Sequence, residues 1–425
     1  MSELLTQLGS VVGAEHVTPG AGGLSVQGVA SNFVVSPGSA EELADAMKIA
    51  AAARAAVIPW GGGTRQRLGT PPVALDRPVI IMRTGRLNRV LDYTPDDMTI
   101  SVGAGMTLDE IDQALRPNGQ MLPMDVALPG RSTIGGALAC AADGPRRHGY
   151  GTFRDLFLGT RVVEAGGRIS KAGGMTVKNV SGFDMMKLYI GSMSSLAILA
   201  SANFKLLPMP RAVATIACEF DTLEGAFAMV DAVHTSKLLP AACELVSAEG
   251  GVGFGLCLAT DGLEQAVARH KRDLPAFAQK AGASASHVLE GDEHSSLWGR
   301  INDLPQTAEL GPNEMVLRVT CLASRLGESL LALERVAREH SMRLQISARA
   351  LNGVAYVRAD GEAWKKFHAA ALAAVPDAFV VTLGLGTPEP SLNVWGRPPN
   401  GLEVMRRIKS EFDPGNILNP GRFIV

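Results

Sequence analysis

The sequence predicts an α+β protein of two domains, with a short tail that returns to the first. Three observations carry that expectation. The chain has 425 residues, too many for one ordinary core. Short strands and few helices follow one another up to residue 210, without the regular strand–helix alternation of a parallel sheet. Beyond Pro208-Met209-Pro210, a proline pair that marks a linker, strands alternate with long helices. The expected boundaries are 1–210, 211–388 and 389–425.

In chain order, a helix over 37–56 opens after Ser36-Pro37 or Ser39. It carries Glu41 and Glu42 in its first turn, where negative charge is favoured. An apolar strand at 56–58 then runs into Pro59-Trp60-Gly61-Gly62-Gly63-Thr64. Further strands are expected at 79–82, 89–91 and 98–102. The helix at 107–115 has Thr107 as its cap and Glu110 three residues on, the spacing of a capping box. Residues 128–174 are crowded with glycine around a strand at 161–164, and 194–207 is strand-like. In the second part, strands at 214–220, 253–259 and 315–320 alternate with helices at 222–233, 262–280 and 325–339, and 363–374 is a packing helix. This pattern predicts a sheet covered by helices on one face. The tail holds one helix at 402–412 and is too short to fold alone.

Composition narrows the function. The 40 basic and 42 acidic side chains leave a net charge of −2, with no electrostatic footprint for nucleic acid. Charged residues make up 19%, against about 25% on average; this fits a subunit that buries area against partners, or a protein with much interior. The five cysteines are scattered without any C-x-x-C, which supports no zinc site, iron–sulfur cluster or disulfide framework, and a reducing cytoplasm is expected. The start, Met1-Ser2-Glu3-Leu4-Leu5, lacks the basic and apolar regions of a signal peptide. No apolar stretch reaches the about 18 residues that a membrane span needs. Glycine is the deviation that points somewhere: 47 residues, or roughly 11% against about 7%, implies tight turns or close backbone approach to a ligand.

Four glycine-rich turns carry the chemistry. In the first, Gly61-Gly62-Gly63 follows a strand and exposes successive backbone N–H groups, a concavity able to bind a diphosphate without lysine. It is neither a Walker loop nor a G-x-G-x-x-G fingerprint. The second is Leu128-Pro129-Gly130-Arg131-Ser132-Thr133-Ile134-Gly135-Gly136. The third is Gly144-Pro145-Arg146-Arg147-His148-Gly149-Tyr150-Gly151, and the fourth Lys178-Asn179-Val180-Ser181-Gly182-Phe183-Asp184. Each alone reads equally as a β-turn.

Taken in order, together with Asn419-Pro420-Gly421-Arg422 near the end, these turns resemble the FAD-binding domain of the vanillyl-alcohol-oxidase, or PCMH-type, flavoproteins. Within that family they are most similar to the FAD-binding E subunits of bacterial glycolate oxidases. The resemblance implies a two-subdomain FAD-binding domain, a second α+β cap domain and a C-terminal tail packed on the FAD domain. It implies cofactor contacts from Pro59, Trp60, Gly61, Gly62, Gly63, Thr64, Arg65 and Gln66. A second loop would supply Pro129, Gly130, Thr133, Gly135 and Gly136, with Tyr150, Gly151, Lys178, Asn179 and Ile198 as further contacts. Some relatives bear a histidine bonded to the flavin where this chain has Thr64, so FAD is expected to be non-covalent. Relatives also carry Gly-Ser-x-Gly-x-Leu-Gly where this chain has Ser194 and Ala197 in place of two glycines.

The related D-2-hydroxy-acid dehydrogenases hold a metal through a His-x-Gly-x-Gly-Asn-x-His-like run, which is missing here. His287 and His294 are separated by Gly291 and acidic residues that suggest a loop, and no metal is expected. The leading expectation is an FAD-bearing subunit of a glycolate-oxidase-like complex. It would relay electrons beside a sister FAD subunit and an iron–sulfur subunit, in the cytoplasm or held by partners at the inner membrane face. Two alternatives stay open. One is a self-sufficient, metal-independent oxidoreductase that anchors a small hydroxy acid through Arg300, Arg318, Arg349 or Arg397. The other is a non-catalytic assembly subunit. Tyr93, Trp298, Trp364 and Trp395 are candidates to stack on a flavin.

Overall fold

The computed structural model describes residues 2–20, 24–73, 76–176, 183–247 and 253–425. Three main sheets organise them. The first has four strands in the order Val17–Pro19, Phe33–Val35, Val79–Arg83, Ala56–Trp60, the last three parallel. Helix Ala40–Ala52 makes the crossover between Phe33–Val35 and Ala56–Trp60. Ser39 caps it by accepting from the Glu42 N–H at 3.0 Å, and its apolar stripe of Leu43, Ala46, Met47 and Ala50 is fully buried against the sheet.

The second sheet is antiparallel, in the order Ile169–Gly173, Phe157–Glu164, Ala197–Lys205, Thr99–Gly103, Val90–Thr94. Helix Leu108–Leu115 lies beside it, and Thr107 and Glu110 form the expected capping box. Together the two sheets make the two-subdomain unit.

Residues 212–385 build a third, eight-stranded sheet in which every pairing is antiparallel. Helices Leu223–His234, Glu264–Lys280, Leu326–Glu339 and Trp364–Ala374 cover one face and share its apolar core. Side chains alternate across a strand, so the neighbours of those core residues point the other way. Arg318, Glu244, Ser347, Arg349 and Tyr356 therefore lie on the opposite face, which is turned to the first two sheets. The tail returns as the fold class implies: Val57 N–H donates to Ile417 O at 2.8 Å and Asn419 N–H to Val57 O at 2.9 Å.

Two local expectations need correcting. Residues around His287 and His294 are not a loop but strand Ala285–Leu289 and helix Gly291–Asp303. Asp292 and Glu293 sit in that helix's first turn, where they favour the helix dipole. The strand expected from residue 194 begins at Ala197, because Met193 and Ser194 take positive φ angles of 50° and 53° and turn the chain first.

Candidate functional site

The glycine loop leaves the parallel strand Ala56–Trp60, and each glycine has its own steric reason. A Cβ on Gly61 would stand 2.1 Å from Thr133 Oγ1, and one on Gly62 only 1.6 Å from the Arg131 carbonyl oxygen. Gly63 has φ +74° and lies against the Trp60 ring. The loop is thus pressed onto residues 131–133, where Thr133 caps helix Ile134–Ala139. Among the described residues, no backbone N–H of Gly61, Gly62, Gly63 or Thr64 donates a hydrogen bond.

These residues line a cavity of about 650 Å³, open mouth included. Pro59, Trp60, Gly61, Gly62, Gly63, Thr64, Arg65, Gln66, Thr133, Gly135, Gly136 and Ile198 all contribute to its wall. Pro129 and Gly130 stand behind it, in the turn that holds Arg131 against Gly62. Tyr150 lies elsewhere, donating from its hydroxyl to Asp261 at 2.7 Å, with Gly151 beside it. Lys178 and Asn179 fall outside the described residues. Of the aromatic candidates, Tyr93 donates to Gln120, Trp298 to Thr215, Trp364 belongs to the third sheet's core and Trp395 packs edge-on against Phe423; Trp60 is the one that meets the cavity.

The wall also contains Cys140, and Ser194, Asn419 and Arg422, which the sequence placed in motifs without a stated cofactor contact. Arg422 is 2% exposed. It donates to Gln66 Oε1 (3.0 Å), Asn419 Oδ1 (3.1 Å), Gln66 O (2.9 Å) and Leu68 O (3.1 Å), all neutral acceptors, and its Nε has no partner. Burial pushes its pKa down to about 10, so it remains a cation at neutral pH. Arg65 donates to the hydroxyls of Thr64 and Ser132, and burial lowers its pKa too. Neither guanidinium has a carboxylate partner among the described residues. Free backbone N–H groups, two uncompensated cations and an orphaned Nε fit the diphosphate of a dinucleotide. The residues present therefore fit FAD.

Thr64, Arg65 and Cys140 also line a second cavity of about 570 Å³, between the FAD loop and the third sheet. Its far wall holds Arg318 and Tyr356, which face each other across adjacent strands. Directly opposed side chains of this kind have Cβ atoms about 5 Å apart. Tyr356 Oη donates to Asp143 Oδ1 at 2.7 Å, and Arg349 lies 4.2 Å over its ring. Burial pushes the Asp143 carboxyl upward, but Arg349, Arg147 and the Tyr356 hydrogen bond outweigh it and hold it below the usual range. Burial pushes the Tyr356 phenol up to about 12. Arg318 makes no hydrogen bond or ion pair among the described residues. Of the other arginine candidates, Arg300 donates to Ser296, Arg349 is buried between Asp143 and Glu244, and Arg397 stacks on Phe379. Among the described residues no three His, Cys, Asp or Glu side chains cluster as a metal site, and no helix is long and apolar enough to cross a membrane.

Comparison with known proteins agrees with this geometry. Residues 31–173 match the FAD binding domain family and residues 389–423 match the C-terminal domain of FAD linked oxidases. The glycolate oxidase subunit GlcD of Bacillus subtilis is 26% identical over 92% of this chain and 88% of its own length. D-lactate dehydrogenase of Archaeoglobus fulgidus is 29% identical over 93% and 92%. The glycolate oxidase subunit GlcE of Escherichia coli is 37% identical, but over 32% of this chain and 39% of its own. In fold, p-cresol methylhydroxylase superposes with a TM-score of 0.77 at 16% identity, covering 99% of this chain and 96% of the other. The chain is thus an FAD-dependent oxidoreductase that carries an FAD binding domain and a C-terminal domain of FAD linked oxidases, on the fold that p-cresol methylhydroxylase also has.

Proposed function

We propose that this chain oxidises a small 2-hydroxy acid in its second cavity, using non-covalently held FAD. The observation that carries this reading is the Arg318–Tyr356 pair. Arg318 has its donors free and facing the cavity, suited to a carboxylate. Tyr356 has committed its one proton to Asp143, so its oxygen is left to accept a hydrogen bond. A cation beside an acceptor complements a carboxylate with a hydroxyl on the next carbon. Leu68, Ala127, Leu128 and Leu383 form apolar walls that keep water from the rest of the substrate. When bound, the flavin supplies the two-electron acceptor; the protein's part is binding and orientation. The 2-hydroxy acids named in the relatives GlcD, D-lactate dehydrogenase and D-2-hydroxyglutarate dehydrogenase support the substrate class.

The test is the reductive half-reaction of the FAD-loaded protein with glycolate and D-lactate. Truncating a buried partner of a charged group costs about 2–5 kcal/mol. Arg318→Met should therefore raise the half-saturating concentration at least about thirty-fold, while Tyr356→Phe should mainly slow reduction. Unchanged saturation in Arg318→Met would sink this assignment. A second reading has a specific support: similarity to both GlcD and GlcE suggests that the chain works inside a glycolate-oxidase-like complex. An iron–sulfur subunit would then take electrons onward.

A further inference from the structure

We propose that the diphosphate of FAD is the missing counter-ion of Arg422, so that cofactor loading and docking of residues 413–422 form one coupled event. The inference rests on FAD binding and adds a residue and a conformational linkage. The tail is stitched on by backbone contacts. Val73 N–H donates to Pro420 O at 2.8 Å, Thr70 N–H to Arg422 O at 3.2 Å and Asn419 N–H to Val57 O at 2.9 Å. The approach is close enough that a Cβ on Gly69, which has φ +81°, would stand 2.2 Å from the Arg422 carbonyl oxygen.

This docking delivers a guanidinium into the wall of the FAD cavity, where its four hydrogen bonds reach neutral oxygens and its Nε reaches none. A buried cation without an anion is unfavourable. The protein can relieve it by letting the tail lift or by admitting an anion beside it. Arg65, the other uncompensated cation of that wall, is fixed to the glycine loop itself and cannot leave. The tail is the element free to respond. Linkage then requires reciprocity: whatever factor FAD contributes to docking, docking contributes to FAD affinity.

A purely structural arginine, stitching residues 66–68, would be indifferent to anions. The experiment uses the full chain as apoprotein, with inorganic pyrophosphate and FAD as separate probes. Amide hydrogen exchange is followed at Val73 and Asn419 and FAD uptake by fluorescence in the same samples. In the wild type, both probes should slow exchange at these amides about tenfold or more, the size of a typical coupling. Arg422→Gln should lose the pyrophosphate response and bind FAD roughly 10- to 100-fold more weakly, as expected for a lost charge-assisted contact. Arg422→Lys should keep part of both. Pyrophosphate that leaves wild-type exchange unchanged overturns the proposal, as does a folded Arg422→Gln that holds FAD at wild-type affinity. If Arg422→Gln does not fold, the wild-type arm decides. FAD uptake without any change at the tail defeats the coupling alone, whereas no uptake defeats FAD binding itself.

Discussion

At the scale of single residues, two cations and one glycine define the site. Arg422 and Arg318, like Arg65, line a cavity and have no carboxylate partner among the described residues. Gly62 shows the steric side. Its missing Cβ lets the loop meet the Arg131 carbonyl, so Gly62→Ala forces the two apart, at about 1–3 kcal/mol for overpacking. It should lower the melting midpoint and weaken FAD binding at least tenfold in a fluorescence titration. Gly85→Ala, where a Cβ meets nothing within 4 Å, should leave both unchanged. The glycine loops were legible in the sequence because a glycine reports a local backbone demand. The role of Arg422 was not, since its partner Gln66 lies 356 residues away and pairing at that separation leaves no local pattern. Arg318 was visible as one of four candidates; its place in the cavity wall and, among the described residues, its lack of a hydrogen-bond or ion-pair partner separate it from Arg300, Arg349 and Arg397.

At the scale of elements, a buried ion pair adds to the backbone contacts that hold the tail. Lys409, near the end of helix Leu402–Phe412, sits 2.5 Å from Asp413 and also donates to Ser195 O (2.9 Å) and Leu418 O (3.0 Å). Asp413 in turn accepts from the Ile417 and Leu418 N–H groups at 2.9 and 2.8 Å. Breaking a buried pair by removing one partner costs about 3–5 kcal/mol. Lys409→Met should therefore lower the urea midpoint by a corresponding amount and weaken FAD binding with it, because the segment it anchors runs on to Arg422. Helices with a cap and a clear apolar stripe, such as Leu108–Leu115, were readable from the sequence. Helix Gly291–Asp303 was not. It buries Ile301 alone among its residues and is held through polar contacts that no periodicity reveals: His294 and Trp298 to Thr215, Asn302 to the Val126 carbonyl and Asp303 to the Leu128 N–H.

At the scale of the whole molecule, the FAD-binding sheets and the eight-stranded sheet meet along a polar seam. Asp143, Tyr356, Arg349 and Glu244 form a chain running from the second cavity into the interior. Glu244 is fully buried; Ser347 donates to one of its carboxyl oxygens and the other has no partner. Burial, only partly offset by Arg349 and Ser347, pushes its pKa up from 4.5 to about 7. The folded protein then keeps a proton that the unfolded chain has lost. Its stabilising contribution is fully present below the unfolded value and is lost as pH rises through the folded one. Relative to Glu244→Gln, the wild type should lose thermal stability between about pH 5 and about pH 8, and a parallel pair of melting curves across that window would refute the assignment. The seam also places Tyr356 against Asp143 and leaves Arg318 in the wall of the second cavity, the arrangement on which the proposed hydroxy-acid site rests. The most direct measurement is anaerobic mixing of the isolated, FAD-loaded chain with glycolate or D-lactate while flavin absorbance is followed. This structure predicts bleaching of one flavin per chain in the wild type, with the response shifted to much higher substrate in Arg318→Met. A flavin that stays oxidised with every small 2-hydroxy acid, yet is readily reduced by dithionite, would contradict it.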